Sequence, residues 1–119
     1  MSRLDDILKI QLVRLRLRNG RIPIDHWLEC LDTPIRARIS ARLRRLSLGN
    51  FGDCKNVGDG VSELRMNFGP GYRIYFGKKS EKIIIFICGG DKKSQVEDIK
   101  RARRLWAEYL RGEINNVEG

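Results

Sequence analysis

The feature that most restricts the fold is residues 69–76, where a turn signal leads directly into an alternating strand. Pro70 fixes the φ angle of the second turn position and Gly71 supplies the positive φ of the third, which is the type II pattern. In the strand that follows, every second side chain points to the same face. One face carries Tyr72, Ile74 and Phe76, and the opposite face carries Arg73 and Tyr75.

A second informative segment, residues 89–95, lies between an apolar run and the start of a helical pattern. It begins with two glycines and continues with Lys92 and Lys93. An arginine, a tyrosine and two lysines held at strand ends and in a loop suit a polyanion better than a small apolar ligand. We therefore predict that this part of the sheet contacts a polyanion.

Three apolar runs in the middle of the chain predict a β-meander. The strands are expected at residues 61–68, 72–77 and 82–88, after a long loop at residues 49–60. The second hairpin turn is expected at residues 78–81, where charged residues interrupt the apolar pattern. These strands predict an antiparallel sheet.

The N-terminal part of the chain predicts one further strand. Residues 7–17 alternate, with a phase slip of one residue at Leu12 and Val13. A slip of this kind indicates either a β-bulge or a strand that is covered on both faces. Residues 1–6 are expected to be loose.

Two helices are predicted between this strand and the meander. Pro23 suits the first turn of a short helix that carries Trp27 among its apolar residues. Thr33 followed by Pro34 predicts the N-cap and the first position of a second helix. The second helix is expected to bury a face made of Ile35, Ile39, Leu43 and Leu46.

A third helix is predicted at the C-terminal end. Ser94 and Glu97 form a capping-box pattern at its start, and Gly112 is expected to end it. The fold class is therefore α+β, a single domain over residues 1–119, with two helices on one face of an antiparallel sheet and a C-terminal helix. The buried stripe of the last helix is expected to contain Val96, Ile99, Ala102, Trp106, Tyr109 and Leu110.

The charge balance favours an acidic partner. The chain has 24 Lys and Arg residues against 15 Asp and Glu residues, a formal net charge of +9. This charge suits nucleic acid, an anionic membrane surface or an acidic protein. A membrane partner is disfavoured, because the longest apolar run, residues 83–88, is far shorter than the roughly 20 residues that a span needs. No signal-peptide pattern opens the chain.

The three cysteines, Cys30, Cys54 and Cys88, argue against both a disulfide framework and a zinc site. Their number is odd, and no C-x-x-C pair occurs. Cys88 ends an apolar run and is expected to be a core residue. A reducing cytoplasm is the expected location, and no metal or other cofactor is expected.

A stripe of arginines lines the edge of the second helix's apolar face. Arg38, Arg42 and Arg45 are spaced i, i+4 and i+7. They form either a solvated helix side with buried aliphatic stems or a surface that docks RNA or a partner protein. Arg65 shares a strand face with Glu63, and either touches RNA or ties the sheet to the last helix.

Several of these segments, in this order and at this spacing, resemble the RelE/ParE toxin superfamily. The resemblance covers about residues 23–110 and is strongest for the HigB-like, phage-related addiction module killer branch. It implies a RelE-like fold and a type II toxin that cuts messenger RNA in the ribosomal A site. It also implies a cognate antitoxin as partner, usually one with a helix-turn-helix. The motifs that carry it are residues 49–55, 63–65, 69–76, 89–95 and 98–102.

The same resemblance implies roles for individual residues. Arg73 matches the arginine that contacts the reacting phosphate, and Lys92 or Lys93 matches the basic residue that acts near the leaving group. The alternative for Arg73 is a cross-strand ion pair with Glu63. The alternative for the two lysines is an exposed loop without a functional role.

The group that removes the 2′-hydroxyl proton stays open. Where some family members carry a lysine that serves as base, this chain has Glu63, and the preceding loop offers only one lysine, Lys55. Lys55 is also a candidate RNA-binding residue. The C-terminal tyrosine of other members has no clear counterpart, although Tyr75 is a candidate substitute. The single histidine, His26, lies on the first predicted helix, which excludes a two-histidine ribonuclease mechanism.

Two other functions remain open at this point. A ParE-like inhibitor of DNA gyrase shares the fold and performs no RNA chemistry. A non-catalytic relative would use the basic surface only to bind RNA or protein. The presence of Arg73 together with Lys92 and Lys93 favours the nuclease.

Overall fold

Residues 9–118 are described by the computed structural model, and the segment 1–6 that was expected to be loose lies outside them. Within this range the chain forms an α+β domain with one mixed sheet, which confirms the predicted class and is consistent with a RelE-like fold. The elements are β1 (Gln11–Arg16), α1 (Pro23–Glu29), α2 (Thr33–Ser47), β2 (Cys54–Gly58), β3 (Val61–Met66), β4 (Tyr72–Ser80), β5 (Ile83–Asp91), α3 (Gln95–Leu110) and β6 (Asn115–Glu118).

The sheet has the order β2-β3-β4-β5-β1-β6 and is mostly antiparallel. The exception is β1, which lies parallel to β5, with Gln11 opposite Ile83 and Arg14 opposite Phe86. Parallel neighbours require a long connection, and here the whole segment from α1 to β4 provides it. The expectation of an antiparallel sheet is therefore wrong for this one pair.

Helices cover both faces of the sheet. α1 and α2 pack on one face over a core that includes Ile39, Ile74 and Phe76. α3 packs on the other face, where Trp106 contacts a second core that includes Tyr75. The predicted alternation of β4 is confirmed, but its Arg73 face is covered by a helix.

The turn before β4 differs from the predicted type II register. Its hydrogen bond runs from the Gly71 N–H to the Phe68 carbonyl at 3.1 Å, so Gly69, with a φ of +57°, takes the second position and Pro70 the third.

The phase slip in β1 reflects burial on both faces. Leu12 packs against the α1–α2 core, whereas Val13 and Leu15 belong to the α3 core. The register with β5 is continuous from Gln11 to Arg14, so no bulge interrupts this part of the strand. Of the two alternatives, coverage on both faces is correct.

Several strand boundaries differ from the prediction. The loop expected at residues 49–60 contains β2, an edge strand whose Lys55 and Asn56 are exposed and give no apolar signal. β3 ends at Met66, and β4 continues to Ser80, which shortens the second hairpin turn. β5 extends through two glycines to Asp91. β6 was not predicted, because its four residues lack a clear alternating pattern.

The sequence correctly predicted three helices, but the capping at the starts of α2 and α3 differs from the prediction. The N-cap of α2 is Asp32 rather than Thr33, whose hydroxyl accepts a hydrogen bond from Arg36. The capping box at the start of α3 does not form, because Glu97 pairs with Lys100 in solvent at 3.5 Å. Gly112, with a φ of +79°, follows the end of α3 as predicted.

The buried stripe of α3 is narrower than predicted. Val96 and Leu110 are 66% and 65% exposed. Leu105, which the prediction omitted, is buried beside Ala102 and Trp106. Positions 102, 105, 106 and 109 repeat at i, i+3, i+4 and i+7, and this repeat defines the face that contacts the sheet.

The tryptophans and Cys88 have the structural places that the sequence indicated. Trp106 packs over Gly77 and Trp27 packs over Gly89, where any larger side chain would collide with the indole ring. Cys88 is buried in the α3 core, and this burial raises the pKa of its thiol to about 12. A thiol with such a pKa is not a nucleophile at neutral pH.

Candidate nucleic-acid interface

Two arginines lie side by side on the face of the sheet that α3 covers. Arg65 of β3 is directly opposite Arg73 of β4 in the antiparallel register. Opposite residues in such a pair have Cβ atoms about 5 Å apart, and like charges at this spacing destabilise the sheet unless another group compensates them. The register therefore creates a concentrated positive charge at one end of β3 and β4.

Glu63 supplies the compensating charge. Its side chain is fully buried. Oε1 accepts a hydrogen bond from Arg65 Nε at 2.9 Å, and Oε2 lies 3.6 Å from Arg73 Nε. Oε2 also accepts hydrogen bonds from the Tyr75 hydroxyl at 3.0 Å and from Gln95 Nε2 of α3 at 2.8 Å. We call these five residues the Glu63 cluster. The ion pair foreseen as an alternative for Arg73 is present.

At neutral pH the carboxyl group of Glu63 is ionised, whereas the hydroxyl group of Tyr75 keeps its proton. Burial raises the pKa of Glu63, but the bonds donated by Arg65, Gln95 and Tyr75 outweigh it, so the pKa lies below its ordinary value of 4.5. Burial and the neighbouring Glu63 carboxylate raise the pKa of Tyr75 far above 10. Tyr75 is therefore a protonated hydrogen-bond donor at neutral pH and cannot accept a proton there.

The turn before β4 holds the other end of the Arg73 side chain. Nη1 donates to the carbonyl of Gly71 at 2.8 Å, and Arg73 is 9% exposed. Its Nε is buried without a hydrogen bond among the described residues. A Cβ built on Gly71, whose φ is +81°, would lie 3.4 Å from Cβ of Lys92. The turn thus brings the Lys92 stem next to the Arg73 guanidinium.

The loop after β5 is ordered by its own side chains. Asp91 Oδ1 accepts hydrogen bonds from the backbone N–H of Lys93 at 2.9 Å and of Ser94 at 3.1 Å. The side chains of Lys92 and Lys93 are exposed. Asp91 therefore shapes the loop, and the two lysines are presented to solvent at the end of β5.

The helical arginine stripe and Arg65 line one groove between α2 and the end of β3. The structure thus unites the arginines that the sequence could place only on separate elements. Arg65 lines this arginine groove and also pairs with Glu63, so the groove and the Glu63 cluster meet at this residue. The groove is lined by Arg38, Ala41, Arg42, Arg45, Asp53, Arg65, Met66, Asn67 and Phe68.

The three helical arginines differ in their exposure and in the contacts that their guanidinium groups already make. The guanidinium of Arg42 is buried and donates to the carbonyls of Asn50 and Phe51, so it fastens the loop before β2 to α2. Arg38 is exposed and lies over the ring of Phe68, with its Cζ 3.8 Å from the ring centroid. Arg45 is exposed. Arg38 and Arg45 are the two that can reach a ligand without breaking existing bonds.

The remaining predicted residues lie in separate places. Lys55 is exposed on the edge strand β2, directly opposite Glu63 in the register. His26 is exposed on α1. Within residues 9–118, His, Cys, Asp and Glu form no group of three that could hold a metal ion. No helix in this range is long and apolar enough to cross a membrane.

Sequence reasoning missed two members of the site. Gln95 appeared only as part of a capping pattern, yet its side chain reaches across to the buried Glu63. Asp53 lies in the groove among the arginines. The signal that was available is Glu63 itself, a carboxylate at an inward-facing strand position, which requires buried partners.

The chain is similar to known proteins over most of its length. A family model described as phage-derived protein Gp49-like (DUF891) matches residues 26–107. An uncharacterized protein of Haemophilus influenzae is 46% identical over 88 residues, which cover 73% of this chain and 89% of that protein. No solved structure matches the chain at a significant level. The family match spans every residue of the Glu63 cluster and of the arginine groove.

Proposed function

Because this chain belongs to the phage-derived Gp49-like protein family, which lies in the toxin-like addiction module killer group, we propose that it is the toxin of a type II toxin–antitoxin system. Within that group we assign it to the HigB-like branch of the RelE/ParE superfamily. Its activity is cleavage of messenger RNA on the ribosome in the cytoplasm, and a cognate antitoxin neutralises it.

The observation that carries this proposal is the charge balance of the Glu63 cluster. Within the cluster two guanidinium groups share one carboxylate, so its five residues carry one more positive than negative charge. An RNA phosphate is the group that best matches two neighbouring arginines, because each planar guanidinium can donate two hydrogen bonds to phosphate oxygens. The exposed Lys92 and Lys93 add charge beside it.

The residues then divide into two roles. Arg73 contacts the reacting phosphate and stabilises the charge of the transition state, and Lys92 or Lys93 acts near the leaving 5′-oxygen. Tyr75, the candidate substitute for the C-terminal tyrosine of other family members, is here a positioning residue, because its hydroxyl is buried and bonded to Glu63. Glu63 and Gln95 have the same positioning role.

Dependence on the ribosome follows from the chemistry of these side chains. Free lysine titrates near pH 10 and arginine above pH 12, so neither removes a proton efficiently at neutral pH. A site built from them binds and orients a phosphate well but is slow in proton transfer. The ribosome would supply the missing rate enhancement by holding the message in a reactive conformation.

The arginine groove gives the message a path to the cluster. Arg38 and Arg45 contact the phosphates of the flanking nucleotides, and Arg65 joins the groove to the Glu63 cluster. Lys55 extends the positive surface along the sheet edge. Phe68, which already lies under Arg38, offers an aromatic surface next to the path.

Expression of the protein without an antitoxin is expected to arrest bacterial growth by stopping translation. Messages should carry new 5′ ends inside their reading frames, which sequencing of 5′ ends after induction measures. Arg44→Gln, which removes an exposed arginine of α2 outside the groove, is the control and should remain toxic. Intact messages together with DNA breaks would assign the protein to the gyrase inhibitors instead, and growth without either lesion would indicate a binding protein.

The antitoxin is expected to cover the arginine groove with an acidic segment. Opposite charges mainly accelerate association, and salt screens the effect. The double variant Arg38→Glu/Arg45→Glu should therefore bind the antitoxin more slowly, whereas Arg44→Glu on the same helix should not. Stopped-flow association rates at two ionic strengths measure this. Rates that respond neither to salt nor to the double reversal would place the antitoxin on an apolar surface elsewhere.

A further inference from the structure

A crevice is expected at the carboxyl ends of β1 and β5. These strands form the one parallel pair in the described sheet, and the helices that follow them pack on opposite faces. α1 follows β1 onto one face, and α3 follows β5 onto the other. In sheets with parallel strands, a divergence of this kind leaves a space outside the strand ends, and ligands bind there.

The structure contains a crevice at this position. β1 has ended, so the space between α1 and α3 is not filled by a strand. Gly89 of β5 allows Trp27 to pack directly on the sheet and form one wall. We call this space the β1–β5 crevice. It is lined by Leu17, Arg21, Pro23, His26, Trp27, Cys30, Gly89 and Arg101.

The crevice combines positive charge with an apolar wall. Arg21, His26 and Arg101 line it, and none of the carboxylates within residues 9–118 does. The side chains of Arg21 and Arg101 make no ion pair with any residue in the range 9–118. By contrast, Asp25, the nearest carboxylate to His26 in the sequence, is bound to Arg14. The charge in the crevice is therefore not neutralised by the lining itself.

Two neighbouring carboxylates, Glu108 and Glu29, lie outside the crevice. Glu108 shares an adjoining surface with Arg101 and is paired with Arg104. Glu29 lies on an adjoining surface that also includes Arg21 and His26, but it is outside the crevice. Three basic groups of different geometry then converge on one small space. Two arginines and a histidine match a doubly charged phosphate, and the walls formed by Leu17, Pro23 and Trp27 match a less polar group attached to it.

We propose that the β1–β5 crevice binds a phosphate monoester, with Arg21 and Arg101 as the charged donors and His26 as a third donor. The site is distinct from the Glu63 cluster. The two share no residue, and the four strand residues of the cluster lie on β3 and β4, on the other side of β5 from β1. The proposal does not depend on the nuclease function, because a separate binding measurement tests it.

Titration of the ¹⁵N-labelled protein with inorganic phosphate, adenosine monophosphate and adenosine tests the proposal by NMR. Phosphate and adenosine monophosphate should shift the indole N–H of Trp27 and the amide of Gly89, whereas neutral adenosine alone should not. Arg21→Gln and Arg101→Gln should each weaken binding about ten-fold, the effect of losing one hydrogen bond to a charged group. Both arginines are exposed, so the variants should fold normally.

Arg44→Gln, which removes the same charge from an exposed position on α2, is the matched control and should bind as the wild type does. Tighter binding of adenosine monophosphate than of phosphate would support a nucleotide ligand, and equal binding would support free phosphate. Shifts confined to the arginine groove, or equal weakening by Arg44→Gln, would overturn the proposal, because binding would then reflect net charge alone.

Discussion

Arg73→Gln is expected to slow the cleavage of messenger RNA on programmed ribosomes by about 10²–10³-fold, the usual effect of removing one group that stabilises transition-state charge. Arg73 is positioned for this role by Glu63 on one side and by the Gly71 carbonyl on the other. Primer extension on ribosome-bound message measures the rate. Arg103→Gln, which removes an arginine that pairs with Asp59 in the turn between β2 and β3, should leave the rate unchanged.

The fold of the Arg73 variant needs its own measurement. In the structure Arg73 is 9% exposed and helps to neutralise a buried carboxylate, so the variant should lose about 1–3 kcal/mol. Urea unfolding gives the folded fraction, by which the rate is corrected. A folded variant that cuts at the wild-type rate would show that the assigned site is wrong.

The same assay without ribosomes tests whether the ribosome supplies the rate enhancement of RNA cleavage. Free RNA should bind with a strong dependence on salt and should be cut hardly at all. Among the described residues of the cluster, Tyr75 is held protonated and Glu63 is held ionised by its neighbours. Rapid cutting of free RNA, especially if a chelator stops it, would indicate a base or a metal that this assignment lacks.

Local patterns predicted the parts of the fold that depend on local physics. The presence of a turn before β4, the alternation that follows it and the apolar face of α2 were all readable from residue spacing. β2 and β6 were not, because neither contains an apolar run or a clear alternation, and they become strands only by pairing with a neighbour. The parallel pairing of β1 with β5 joins segments about 70 residues apart, and no local pattern records it.

In the candidate site, too, local patterns predicted some residues, whereas contacts between distant segments could not be predicted. The sequence identified Arg73 and its alternative partner Glu63, because both lie on strands with a clear alternation. It could not place Gln95 against Glu63, since that contact joins a helix to a distant strand. Nor could it unite Arg65 with the arginines of α2, because the angle between helix and sheet decides which side chains share a groove.

Glu63→Gln is expected to be the most destabilising substitution in the site. The carboxylate is fully buried and faces two arginines, one of which is itself largely buried. Removing one partner of a buried ion pair typically costs 3–5 kcal/mol, because the remaining charge stays desolvated. Urea unfolding at pH 7 measures the loss. Glu97→Gln, which affects only an exposed pair with Lys100, should cost about 0.5 kcal/mol or less.

The pH dependence of stability distinguishes the contribution of the Glu63 charge from the contribution of its hydrogen-bonding shape. Because its pKa is lower in the folded protein than the ordinary 4.5, the ionised carboxylate contributes stability that is complete above the unfolded-state pKa. This contribution is lost as the pH falls through the lower folded-state pKa. From pH 6 to pH 3 the free energy of unfolding should therefore fall more steeply for the wild type than for Glu63→Gln, and the two curves should converge. Parallel curves would mean that Glu63 acts only as a hydrogen-bonding shape, and that its charge does not hold Arg65 and Arg73 in place.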